Sequence, residues 1–199
     1  GNINKTTQKK GGIMNFPFVV GDTLKYIAYY QNYQTLMTDN PTITKSYKFD
    51  LEKCVDYDGN IYQTVIIGLQ TWMAEHLKST HYADGTSLEP GSGNIVIGDD
   101  YATKYYFWYD DDFLAYAEAY GALYTWAAVM NGAARSDANP SGVQGVCPDG
   151  WHVPSNVEWN ELETYLADNG FGYEGSGGDI AKSMADNSGW YSSATPGAV

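Results

Sequence analysis

Residues 145–162 read GVCPDGWHVPSNVEWNEL, and the second half of this stretch holds the most informative local signal in the chain. Ser155 and Glu158 form a Ser-x-x-Glu capping box. The Ser155 hydroxyl can accept the Glu158 amide while the Glu158 carboxylate reaches back to the Ser155 amide. Two donors that a helix start leaves orphaned are thereby satisfied, so a helix is expected to open directly after Ser155. Trp159, Leu162, Tyr165 and Leu166 recur on one face, and Asn169-Gly170 supplies a stop, which predicts an end near Asp168. His152 is placed to orient the turn that precedes this helix.

Working outward, residues 111–130 (DDFLAYAEAYGALYTWAAVM) carry Phe113, Tyr116, Ala117, Tyr120 and Leu123 or Tyr124 at helical spacing. Three acids, Asp110 to Asp112, stand at the positive end, so a second main helix is expected, strained by Gly121. Between residues 81 and 106 the turn formers in ADGT, EPGSGN and GDD predict long loops. Asp58-Gly59-Asn60 is a hairpin signal, since Gly and Asn tolerate positive φ, and a strand over residues 61–67 should follow it. Gly68-Leu69-Gln70 reads as the next turn.

Residues 1–12 are polar and aperiodic, a tail. Residues 13–54 change to β-rich text (FPFVV, LKYIAYYQNYQTLM, TITKSYKFDL) broken by GDT and TDNP. Leu24, Tyr26, Ala28 and Tyr30 alternate with Lys25, Ile27 and Tyr29; Tyr47, Phe49 and Leu51 alternate with Lys48, Asp50 and Glu52. Two or three strands cannot close a core alone, so this segment should pack on the main domain, residues 55–199, or be the remnant of a preceding β-sandwich.

Bulk properties narrow the classes. The chain has 199 residues, 43% of them hydrophobic, with 18 Tyr, 6 Trp, 22 Gly and a charged fraction of only 18%. A folded core rich in short strands and loops fits this mix better than a helical bundle. The net charge of -13 argues against phosphate-backbone binding, which requires clustered Lys and Arg, so nucleic acid is set aside as a partner. No apolar run approaches the ~18 residues of a membrane span.

No catalytic constellation is present. His76, His81 and His152 lack metalloprotease spacing, and the GSGG near Ser176 follows no strand, so it reads as linker. No enzymatic activity and no cofactor are expected. Asp56, Asp58 and Asn60 alternate oxygens as an EF-type calcium loop does, but the twelfth position is Ile67, so the turn reading outweighs a Ca2+ site. Tyr101, Tyr105, Tyr106, Trp108 and Tyr109 cluster beside Asp110, Asp111 and Asp112. Rings and carboxylates together suit sugar faces and hydroxyls, which makes Tyr105, Trp108, Tyr109 and the three acids candidate ligand-binding residues. The alternative is that these rings fill the core. Trp72, Trp126, Trp151 and Trp159 are expected in the core outright. Cys54 and Cys147 have no metal-site spacing; either they form a disulfide closing a long loop or they are two thiols.

The stretches DYDGNIYQTVIIGLQTWMAEHLK (56–78), YADGT (82–86), YGALYTW (120–126) and GVCPDGWHVPSNVEWNEL (145–162) together resemble the signature of the Fibrobacter succinogenes major paralogous family. The GWHVPSNVEW string is also similar to the G-x-R-L-P-T-x-x-E-W string of the formylglycine-generating fold in the C-type-lectin-like superfamily. The resemblance implies an α+β, C-type-lectin-like fold with short strands, two main helices and long loops. In the family the domain runs on through a Trp-Trp-Ser-Ser segment to a closing strand bearing a Cys, so this module is expected to be incomplete at its C-terminus. No residue here matches the paired cysteines of the formylglycine-generating enzymes. The resemblance further implies a non-catalytic module at the extracellular or outer-membrane surface, binding a glycan or mediating adhesion. The alternative is a structural subunit that binds another surface protein. Membrane association would come only through a lipid anchor outside this chain.

Overall fold

A computed structural model describes residues 17–30, 33–44, 47, 54–98, 100–172, 175 and 177–185. The architecture is α+β. It opens with an antiparallel hairpin of β1 (Leu24–Tyr30) and β2 (Tyr33–Asp39), in which Leu24 lies opposite Asp39 and Tyr30 opposite Tyr33. Leu24, Tyr26 and Ala28 are half-buried while Lys25 and Ile27 are exposed, as the alternation predicts. The hairpin leans on the main domain, where Lys25 Nζ donates to the Gly68 carbonyl at 3.0 Å. Residues 17–20, expected to be extended, belong to no strand and lead into a turn in which the Val19 amide donates to Asp22 Oδ2 at 2.8 Å. Of the third expected strand, residues 42–44 are not extended in a ladder, and Phe49 and Leu51 lie outside the described residues.

Two short hairpins follow. The first pairs β3 (Cys54–Val55) with β4 (Ile61–Tyr62) across Asp58-Gly59-Asn60, with Gly59 at φ +84°. The second pairs β5 (Thr64–Ile67) with β6 (Gln70–Met73) across Gly68 at φ +64°. The single strand expected over 61–67 is therefore divided at Gln63, whose amide donates to Glu75 Oε2 at 2.7 Å. Long loops then lead to a three-stranded sheet: β7 (Glu89–Pro90) runs parallel to β8 (Tyr105–Trp108), and β8 runs antiparallel to β9 (Ala122–Tyr124).

The second expected helix is in fact two. Helix α1 covers Phe113–Tyr120, capped by the Asp112 carboxylate on the Ala115 amide, and α2 covers Trp126–Met130, capped by Thr125. Gly121 parts them at φ +62° and ψ -156°, a region essentially reserved to glycine that costs a residue with Cβ about 1–3 kcal/mol. A Cβ there would also stand 2.6 Å from the Leu77 carbonyl. That carbonyl takes the Ala122 amide at 2.8 Å and starts β9. Tertiary pairing thus overrides the helical periodicity.

Helix α3 spans Asn156–Asp168, the predicted bounds, with both halves of the capping box formed. Leu162 and Leu166 are buried and Tyr165 is half-buried. A separate cluster of Tyr82, Leu88, Ala128 and Val146, with Leu77, Tyr106 and Tyr124 packed against it, forms the core beside the three-stranded sheet. Burying each such large side chain stabilises the fold by about 1.5–3 kcal/mol. Tyr82 and Tyr124 are admitted there because their hydroxyls donate to the Ala128 and Ser79 carbonyls, at 2.9 and 2.7 Å.

The tryptophans are less uniformly internal than expected. Trp126 is 67% exposed and Trp159 41%, whereas Trp72 and Trp151 are half-buried. The reason is positional: α2 has a single turn, and its buried residues are Ala128 and Met130, which leaves its first position on the outside. Trp159 lies over Trp72 with ring centroids 4.8 Å apart, so the pair seals the α3 to β6 contact from the solvent side. Gln70 joins the same elements, its Nε2 donating to the Glu158 carbonyl at 3.0 Å and its Oε1 accepting from Trp72 Nε1 at 3.1 Å. Among the described residues no helix is long and apolar enough to cross a membrane.

Candidate functional site

The β3 to β4 hairpin is organised by Asp56. Its carboxylate accepts the Asn60 amide at 2.9 Å, the Asn60 side-chain amide at 2.8 Å and the Tyr62 hydroxyl at 2.5 Å. Tyr62 is fully buried, and its oxygen in turn accepts the Lys78 amide at 2.9 Å. Burial and the neighbouring Asp56 carboxylate push the Tyr62 phenol well above its ordinary range, so it stays a donor.

Asp58, two residues on, faces the other way. Its Oδ2 accepts the Thr80 amide at 2.5 Å and the Thr80 hydroxyl at 3.0 Å, while Oδ1 stands 2.6 Å from His81 Nδ1. Burial pushes the Asp58 carboxyl upward, but the Thr80 amide and the His81 ring outweigh it and hold the group below its usual value. Asp56 and Asp58 thus serve two different hydrogen-bond networks and do not converge with Asn60 on one point. Among the described residues no three His, Cys, Asp or Glu side chains are grouped to hold a metal ion.

The hairpin tip meets β8 and α1 in a cleft of about 520 Å³, lined by Asp58, Asn60, Lys78, Thr80, Trp108, Phe113, Leu114, Ala117 and Glu118. This volume falls in the range of small-molecule sites. Trp108 arrives at the end of β8, and Phe113 at the first turn of α1 meets it edge-on, with centroids 4.8 Å apart. In the same lining, Lys78 Nζ donates to Glu118 Oε2 at 2.8 Å. Lys78 holds the Glu118 carboxyl below its ordinary value through a hydrogen bond and its charge. The lining combines an apolar ring pair with carboxylates, an ammonium, an amide and a hydroxyl.

Two groups singled out separately in the sequence, the Asp58 to Asn60 turn and Trp108, are therefore brought together. The other ligand candidates are dispersed. Strand alternation sets Tyr105 with Phe107, centroids 5.8 Å apart, on the face opposite Tyr106 and Trp108, so Tyr105 is not part of the Trp108 site. Asp112 is the cap of α1, and Asp111 pins the 91–98 loop by accepting the Gly93 amide at 2.7 Å. Asp110 is exposed at φ +54°, and Tyr109 packs on Tyr116 and Tyr120. None of Tyr109 and the three acids lines the cleft.

Lys78, Thr80, Phe113, Leu114 and Glu118 were not anticipated as site residues. The α1 members carried a usable signal, since residues three or four apart on a helix are neighbours, as Phe113 and Ala117 or Leu114 and Glu118 are. Lys78 and Thr80 carried none, because only the fold of the 74–82 segment against the hairpin places them there.

A second, more apolar cleft of about 540 Å³ lies between Lys25, the Gly68 turn and the outer face of α3, lined among others by Leu69, Val157 and Tyr165. Its lining also holds Asn160, Glu161 and Thr164, so polar groups are present there too. Cys54 is fully buried and Cys147 half-buried, both as thiols. Each thiol is pushed up to about 12, by burial in both cases and at Cys54 also by the neighbouring Cys147.

In comparisons with known proteins, the family described as Fibrobacter succinogenes major domain matches residues 65–196. No curated protein and no solved structure matches. The match begins inside β5, and the bonds from Asp58 to Thr80 and from Lys78 to Tyr62 tie the preceding hairpin to the matched region.

Proposed function

The chain belongs to the Fibrobacter succinogenes major domain family, and from that premise we propose that it is a non-catalytic carbohydrate-binding or adhesion module of the extracellular or outer-membrane surface. The observation that carries this reading is the cleft that Trp108 and Phe113 line together with Asp58, Lys78 and Glu118. An aromatic face suits the C–H face of a pyranose, and flanking charged donors and acceptors suit its hydroxyls. The nearest His–Asp pair, His81 and Asp58, is tied to the Thr80 backbone and orders the wall of the cleft. We further propose a C-type-lectin-like arrangement of the elements, a lipid anchor outside this chain, and binding that needs no Ca2+ or other cofactor. The carboxylates of Asp56 and Asp58 are already engaged by protein donors, which supports the last point.

The test is a pull-down on insoluble polysaccharides followed by titration calorimetry, with and without EDTA. Binding that is unchanged by EDTA and weakened at least tenfold by Trp108→Ala is expected. A protein that ignores every glycan, or a Trp108→Ala variant equal to the parent, defeats the reading.

The second reading is a structural subunit that docks another surface protein, favoured by the apolar cleft beside α3 and its exposed Leu69 and Val157. It requires Leu69→Asp to break an assembly visible by sedimentation while leaving glycan binding intact.

A further inference from the structure

Helix α1 departs from the usual pattern of a surface helix. Its sequence FLAYAEAY is largely apolar, yet Ala117 is its sole buried residue; Tyr116 is half-buried and the Phe113 and Tyr120 rings are exposed. Phe113 is 53% exposed, Tyr109 53% and Tyr120 48%. These rings are ordered against one another. Tyr116 and Tyr120 are stacked at 24° with centroids 5.8 Å apart, and Tyr109 meets them edge-on at 5.0 and 5.5 Å. Phe113 and Tyr120 are seven residues apart and so lie on the same side of the helix, separated by about 10 Å along its axis. That is the length of about two pyranose rings end to end.

Resting on the carbohydrate-binding reading, we infer that the ligand is an uncharged polysaccharide chain, which starts in the Trp108 cleft and continues along α1 over Tyr116 and Tyr120. The tyrosines supply flat faces for successive sugars and hydroxyls at their rims. Ring-on-ring packing holds them in place before binding, which lowers the ordering cost. Charge selects the class of polymer. The chain carries -13 overall, and the cation lining the cleft, Lys78, is engaged by Glu118. Uronate or sulfate groups would meet a repulsive field with no cation set aside for them among the described residues, whereas neutral hydroxyls can donate to the exposed Glu118 carboxylate.

The experiment uses ladders of neutral β-glucan, mannan and xylan oligosaccharides, from disaccharide to hexasaccharide, with polygalacturonate as the acidic probe. For at least one neutral ladder, affinity is expected to rise on the order of tenfold from the shortest to the longest member. Tyr116→Ala with Tyr120→Ala should erase this gain while leaving the disaccharide affinity unchanged, and Tyr120→Phe should keep it. Polygalacturonate should not bind. A bound hexasaccharide no tighter than its disaccharide in the parent protein overturns the inference without touching the cleft reading, and this arm depends on no variant folding. Retention of the gain in the double variant, or tight polygalacturonate binding, also overturns it. Failure of every ladder overturns the cleft reading as well.

Discussion

His152 Nε2 lies 2.7 Å from Glu158 Oε1, while the other oxygen of that carboxylate accepts the Ser155 amide at 2.8 Å and the Ser141 amide at 3.1 Å. One nearly buried carboxylate thus joins the start of α3, the turn before it and the 141 loop. Burial pushes the Glu158 carboxyl upward, but the Ser155 amide, the His152 ring and the Ser141 amide outweigh it and hold it below its usual value.

The sign of the acid response follows. A carboxyl whose folded value is depressed stabilises the fold above its unfolded value, near 4.5, and that contribution is lost as pH falls through the lower folded value. Glu158→Ala, which orphans two buried amides, should destabilise by about 3 kcal/mol at neutral pH. Its stability should also vary less with pH below 4.5 than the parent's. Urea unfolding across pH checks both, and equal acid slopes in the two proteins would refute the assignment.

Ser155→Ala should be milder, about 1 kcal/mol, because it removes a neutral acceptor at 3.2 Å from the Glu158 amide and leaves the carboxylate in place. Ser155→Asp should recover most of that loss. Thermal melts followed at a helical wavelength measure the ranking, which fails if Asp proves worse than Ala.

Glycines at the ends of elements should differ sharply. Gly145 has φ +54°, and a Cβ there would sit 2.0 Å from the Val129 carbonyl, which takes the Val146 amide at 3.0 Å. Gly132, at φ +82°, has nothing within 4 Å of the same position. Gly145→Ala should therefore cost about 3 kcal/mol or more, and Gly132→Ala about 1 kcal/mol from the backbone alone. Comparable losses at the two sites would show that the close approach of residues 129 and 145 is wrong.

Asp58 should matter most around the cleft, where it holds the Thr80 segment. Asp58→Ala leaves the Thr80 amide without its acceptor and should cost about 1–3 kcal/mol. Since Asp58 is held below its usual value of 3.8, its hold on Thr80 is complete at neutral pH and is lost only as pH falls through the depressed value. Amide exchange at Thr80 should accelerate in Asp58→Ala far more than exchange in α3, and equal acceleration would argue against a local role.

With both thiols pushed up to about 12, only about one in ten thousand is ionised at pH 8, and the thiolate is the reactive form. Iodoacetamide should leave the folded protein unlabelled at pH 8. In guanidinium without reductant it should add two carboxamidomethyl groups by mass. Finding none after unfolding would mean that the two sulfurs are bonded to each other.

Local chemistry was enough to read α3. A capping box, an apolar stripe and a closing Asn-Gly act within one or two turns, so residues 155–170 specify Asn156–Asp168 unaided. The same holds for the turns at Gly59 and Gly68, where positive φ selects the residue. The divided second helix and the packing of Trp159 on Trp72 were decided by tertiary structure. In each case a partner distant in sequence, such as the Leu77 carbonyl for Ala122, competes with a local preference worth no more than a fraction of a kcal/mol per residue. The cleft belongs to this second kind. Asp58, Lys78, Trp108 and Glu118 lie on four segments, and only the folded chain brings the carboxylates and the rings into one lining.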